Sequence, residues 1–168
     1  MFLPLVIYTT IASIFAILQT NVFSWLSFHA VLPDFSYIVL IYFSFMYGTM
    51  PGQIAGFSSG LIIDFISLSP LGFNAFIRTV CGHIVGRFKG SILLDILLLP
   101  MAVIGISMIL KALVVLVLSP IVGFPAIISR QFSLQGLIEF LFTILISPLI
   151  FWPLRGIHYL IQSRRAYK

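Results

Sequence analysis

Four charged side chains interrupt runs that are otherwise apolar: Asp64, Arg78, Lys111 and Glu139. On an apolar helix that crosses a bilayer, each would cost roughly 2.5–3.5 kcal/mol at the helix centre, so such residues pair with one another or mark a site. Their spacing is informative. Asp64 and Arg78 lie seven residues either side of Leu71, in the turn Ser69-Pro70-Leu71-Gly72, and Lys111 and Glu139 are equidistant from Pro125. At the helical rise, Asp64 and Arg78 each sit about 10 Å along their helices from that turn. Each acid is therefore expected to meet a base at the same depth on an antiparallel neighbour. Asp34 adds a third acid on the same side. Two chemistries follow. The cluster either binds a ligand or couples to a proton, or it is a set of ion pairs that satisfy one another and hold helices together.

Catalysis has little material. His29, His83 and His158 are scattered, and no H-E-x-x-H, G-x-S-x-G or P-loop is present. The single Cys81 excludes an internal disulfide and a cysteine-rich metal centre. The expectation is a non-enzyme with no metal and no cofactor.

The elements that position these charges follow from composition. Apolar residues make up 61% of the 168 and charged residues 8%, with mean hydropathy +1.20. A soluble domain carries about 25% charged residues to cover its surface, so this chain needs lipid as its solvent. A helix crossing a core of ~30 Å takes about 20 apolar residues. Six runs qualify: 3–23, 34–50, 52–69, 72–88, 95–119 and 133–154. The first has no preceding Lys or Arg and no small-residue cleavage site after it, so it reads as a retained helix. Pro33, Pro51, Pro70, Pro120 and Pro125 fall at the breaks, while Pro100 and Pro148 predict kinks. The fold class is thus an all-α membrane protein: a six-transmembrane-helix bundle over 1–154, followed by a short basic tail over 155–168.

The net charge of +5 is a topological signal here rather than a sign of nucleic-acid binding. With the N-terminus inside, Arg87, Lys89, Arg155, Arg164, Arg165 and Lys168 are cytoplasmic, and only Arg130 is outside. That asymmetry places both termini in the cytoplasm of a multi-pass protein. The tail is expected along the anionic inner leaflet.

Glycines form a second pattern. Gly48, Gly52, Gly56 and Gly60 recur every fourth residue, and Gly82, Gly86 and Gly90 repeat the spacing in the following helix. Small residues at this interval let backbones approach closely where lipid removes the hydrophobic drive to associate. They predict packing of the third helix on the fourth or on another helix, or docking of a partner's helix.

From the second helix to the fourth the motifs accumulate. Pro33-Asp34 is followed by Tyr47-Gly48-Thr49-Met50-Pro51-Gly52, Gly56-Phe57 and Gly60-Leu61-Ile62-Ile63-Asp64. Then come Pro70-Leu71-Gly72-Phe73-Asn74-Ala75 and Gly82-His83-Ile84-Val85-Gly86-Arg87. This order, over about residues 33–90, resembles the rod shape-determining protein MreD family. The resemblance implies a non-enzymatic subunit of the bacterial cell-elongation (peptidoglycan synthesis) complex in the inner membrane. It would act as a scaffold that binds an MreC-like single-span protein, with MreB, RodA and a class B penicillin-binding protein as further partners. MreD-like chains are also similar in fold to the substrate-binding components of energy-coupling-factor vitamin transporters. That makes vitamin binding the competing expectation, although the loops here offer little beyond Asn21, Trp25 and Asn74 to close over a ligand. A lipid-handling protein is a third.

Overall fold

The computed structural model describes residues 2–21, 32–67, 69–89, 98–123 and 126–166. Trp25, His29, Gly90, Pro125 and Lys168, all singled out above, lie outside them, as do the side chains of Asn21, Arg130, Arg164 and Arg165.

Among the described residues all regular structure is helical: α1 Phe2–Asn21, α2 Phe35–Tyr47, α3 Thr49–Ile66, α4 Phe73–Arg87, α5 Leu98–Val122, α6 Ala126–Gln131 and α7 Leu134–Ala166. Six of these coincide with the six apolar runs, and α6 is a six-residue piece inside the fifth-to-sixth connection. Two helices, α5 and the Leu134–Ile161 part of α7, are long and apolar enough to cross a membrane by length and composition.

The second apolar run becomes the centre of the molecule. Every residue from Ser36 to Phe45 on α2 is buried. A helix with no polar face belongs in a protein core or in lipid, and α2 packs against α1, α3, α4, α5 and α7. Around it the neighbours run α1, α3, α4, α5, α7. Their outward faces are apolar too: Phe65, Ile106, Ile121, Leu145, Leu149 and Trp152 are exposed. Soluble monomers rarely show contiguous apolar patches above a few hundred Å², so these faces suit lipid.

Tight turns connect the central helices. Gly48 alone joins α2 to α3, with φ of 100°, and its N–H donates to the Ser44 carbonyl at 2.8 Å. A side chain there would be strained. The glycine ladder then fastens α3 to α4. A Cβ added at Gly52 would lie 2.6 Å from the Gly82 carbonyl oxygen, one at Gly56 2.5 Å from that of Arg78, and one at Gly82 2.5 Å from that of Gly52. Gly60 likewise abuts Ala75, and Gly86 abuts Gly48 and Thr49. The expected close packing is therefore intramolecular, third helix on fourth.

Two boundaries differ from expectation. Pro120 is expected at a break, yet α5 continues through it to Val122, a last-turn position where one lost backbone bond is tolerated. The tail assigned to 155–168 is a continuation of α7, which runs for 33 residues to Ala166 with Pro148 and Pro153 inside it. At about 50 Å, α7 exceeds a hydrocarbon core by several turns.

Candidate functional site

Asp34 is where the charges converge. It is the N-cap of α2, its Oδ1 accepting from the Tyr37 N–H at 2.9 Å, and it is only 8% exposed. A negative side chain is favoured there by the unsatisfied N–H groups of the first turn. From α4, Arg78 Nη2 donates to both carboxylate oxygens at 2.9 and 3.1 Å, and its Nη1 donates to Ser36 Oγ at 2.9 Å. From α5, Lys111 Nζ donates to Asp34 Oδ2 at 2.9 Å and lies 3.8 Å from Glu139 Oε1 of α7. Both cations stand over the Tyr37 ring, at 5.8 and 5.1 Å from its centroid, and the Tyr37 hydroxyl donates to the Ser107 carbonyl at 2.7 Å.

Two acids and two bases cancel, which is the condition for burying charge at all. Neutral groups complete the node. The Asp34 N–H donates to Thr143 Oγ1 at 3.2 Å, Thr143 donates to the Glu139 carbonyl at 2.6 Å, and Gln19 of α1 donates to the Pro33 carbonyl. One polar node thus binds α1, α2, α4, α5 and α7.

The expected pairing of Asp64 with Arg78 does not form, and this corrects the reading from spacing. Asp64 is 3% exposed and turns to the backbone of the adjoining turn. Its Oδ2 accepts from the N–H of Gly72 at 2.9 Å and Ala75 at 3.1 Å. Its Oδ1 accepts from Asn74 N–H at 3.0 Å, Asn74 Nδ2 at 2.9 Å and Ser69 Oγ at 3.2 Å. The reason is local. The N-cap of α4 is Gly72, left-handed at φ of 90°, which has no side chain to satisfy the first turn. Asp64 supplies the missing acceptor from the last turn of α3. The expected Lys111–Glu139 contact does form, at 3.8 Å, with Glu139 one-third exposed at the edge of the node.

Sequence reasoning missed Ser36, Tyr37, Ser107, Thr143 and Gln19. One signal was available: Thr143 is four residues beyond Glu139, hence on the same helix face. Of the remaining candidates, Cys81 is buried, His83 Nδ1 pairs with Gln53 Nε2 at 2.6 Å, and His158 Nδ1 pairs with the Tyr47 hydroxyl at 3.0 Å. Among the described residues no three His, Cys, Asp or Glu side chains come together as metal ligands would. Within the node the charged side chains are paired with one another across the helices.

The model of the rod shape-determining protein MreD family matches residues 1–157. No curated protein and no solved structure matches the chain. The match spans α1 to α6, α7 as far as residue 157, and the whole polar node. The chain belongs to the rod shape-determining protein MreD family, a membrane-associated family of shape-determining structural proteins and not a known enzyme family.

Proposed function

We propose that this protein is the multi-pass scaffold of the bacterial cell-elongation complex. It crosses the inner membrane six times, keeps both termini in the cytoplasm, and binds an MreC-like single-span protein through its outer helix faces. Through that partner it would support a complex with MreB, RodA and a class B penicillin-binding protein. The observation that carries this reading is the satisfied polar node: Asp34, Arg78, Lys111 and Glu139 bind one another and five helices. A ligand site would hold charge in reserve for its ligand, whereas these charges are spent on cohesion. The glycine ladder has the same character, because Gly52, Gly56, Gly60, Gly82 and Gly86 are filled by α3 and α4 themselves. Partners are left with the apolar outer faces, where van der Waals packing drives helix association in lipid.

The test is capture from mild detergent. The scaffold reading expects a single-span protein with a coiled-coil periplasmic part to copurify with the full-length chain. Copurification of an ATPase pair together with a bound vitamin would instead favour a transporter component and sink the scaffold.

A further inference from the structure

The outer faces of the bundle are not alike. On α5 and α7 the exposed side chains of Ile106, Leu113, Leu141 and Leu145 offer lipid only hydrocarbon. The face of the α3–α4 hairpin also exposes apolar groups, Met50, Ile54, Phe57 and Phe76, but a polar bridge crosses it. Gln53 Nε2 of α3 donates to His83 Nδ1 of α4 at 2.6 Å, and both residues are partly exposed. Gln53 lies one turn from Gly56, which abuts α4, and one turn from the exposed Phe57. His83 likewise lies one turn from Gly86, which abuts the start of α3, and one turn from the exposed Arg87. The bridge therefore sits on the outer rim of the glycine seam. Each residue is four positions, about 6 Å, inside the end of its helix, at Thr49 and Arg87.

Hydroxyl groups on these outer faces close on their own helices. Thr10 donates to the Val6 carbonyl at 2.7 Å, Thr79 to the Ala75 carbonyl at 2.6 Å, and Ser58 to the Ile54 carbonyl. The bridge is satisfied only in part. With Nδ1 accepting, the neutral His83 ring carries its proton on Nε2. That N–H and Gln53 Oε1 have no partner among the described residues, and neither is enclosed. Turning the amide over exchanges the roles and still leaves a donor and an acceptor on the surface. An unpaired donor or acceptor is expensive in hydrocarbon, so this face calls for a partner that brings one of each at the same depth.

A second copy of the chain meets that requirement by symmetry. Two copies inserted with the same orientation form a closed pair about an axis along the membrane normal, so residues meet residues of equal depth. Gln53 and His83 share one depth because they bond to each other. About an axis in front of the seam, α3 of one copy comes opposite α4 of the other, which sets Gln53 facing His83 twice over. We propose that the α3–α4 face is a twofold interface for a second copy of this chain, with each Gln53–His83 bridge donating to and accepting from the other. Met50, Ile54, Phe57 and Phe76 form its apolar rim, where close packing drives association in lipid. Arg87, one turn beyond His83, reaches the headgroup level, where water and anionic lipid screen its charge from that of the second copy. The inference rests on the membrane placement proposed above and not on the identity of any other partner.

The experiment uses the full-length chain, labelled at its C-terminus and reconstituted alone in phospholipid vesicles, with energy transfer between copies followed as the protein is diluted in lipid. The wild type should dimerise. Gln53→Leu combined with His83→Leu should weaken dimerisation about ten- to hundredfold, the factor for two lost interhelical hydrogen bonds. A second variant leaves the bridge intact: in cell membranes, Phe57→Cys should cross-link to its counterpart in another copy through a short bis-maleimide. Leu145→Cys, on the α7 face, should not cross-link, and neither should the wild type, whose Cys81 is buried. A chain that stays monomeric at every dilution would overturn the interface. So would a folded Gln53→Leu, His83→Leu variant that dimerises as the wild type does, or cross-linking at Leu145→Cys in place of Phe57→Cys. Cross-linking of Phe57→Cys to a single-span protein in place of a second copy would overturn the choice of occupant. Because the vesicles hold only this chain, a monomeric result would leave capture of a single-span partner untouched.

Discussion

Replacing Arg78 by Met keeps most of the bulk and removes the charge, leaving Asp34 buried with Lys111 as its one close cation. Arg78 is 4% exposed and makes three side-chain hydrogen bonds, two to Asp34 and one to Ser36. Interhelical hydrogen bonds in membranes average about 0.6 kcal/mol each, so three amount to ~2 kcal/mol. Breaking a buried ion pair by removing one partner costs about 3–5 kcal/mol, because the other charge is stranded. Arg78→Met should therefore destabilise the protein by about 2–5 kcal/mol. The sharper quantity is the coupling with each acid. A double-mutant cycle with Asp34→Asn should show a coupling of about 1–3 kcal/mol, whereas a cycle with Asp64→Asn should be additive within about 0.5 kcal/mol. The assay is reversible unfolding in mixed micelles of mild detergent and dodecyl sulfate, followed by far-UV circular dichroism. A large Asp64–Arg78 coupling with an additive Asp34–Arg78 pair would refute the geometry and restore the pairing suggested by spacing.

Four further outcomes follow from the same structure. Asp64→Ala should cost about 2–4 kcal/mol through loss of the α4 cap and the stranded N–H groups of Gly72, Asn74 and Ala75, and hydrogen exchange over residues 72–75 should accelerate. Gly56→Ala, whose Cβ would lie 2.5 Å from the Arg78 carbonyl oxygen, should lower stability by about 1–3 kcal/mol. Gly156→Ala meets nothing within 4 Å and should be neutral or stabilising by up to about 1 kcal/mol, with melting temperature as the check on both glycines. Glu139→Gln, at the exposed edge of the node, should cost less than about 1 kcal/mol and so separate clearly from Asp34→Asn in the same unfolding assay.

What could be read from the residues, and what could not, divides along a physical line. Apolar length and proline position located the six long helices to within a few residues, except where α7 runs on to Ala166, because hydrophobic runs and helix breakers are local properties. The glycine spacing predicted close approach, and α3 and α4 make it. Residue spacing along a hairpin reports depth, however, and not the direction a side chain faces around its helix. Asp64 and Arg78 have matched depths, but three N–H groups at the start of α4 lie nearer to Asp64 than any cation and hold it in the turn. Arg78 then takes Asp34 on α2, a partner 44 residues away in sequence. The central position of α2 was hidden for a related reason. An all-apolar helix reads alike whether it faces lipid or protein, and only the packing of five neighbours on it decides the matter.

Under the proposed function, the polar node holds together a scaffold on which rod shape depends. The direct measurement is cell shape in a rod-shaped bacterium depleted of its own copy, with partner capture followed in the same cells. Depletion should round the cells, and the wild-type chain should restore rods. Asp34→Asn, expressed to the same level, should neither restore rods nor retain the single-span partner. Rods that persist without the protein, or full rescue and undiminished partner capture by Asp34→Asn, would contradict it.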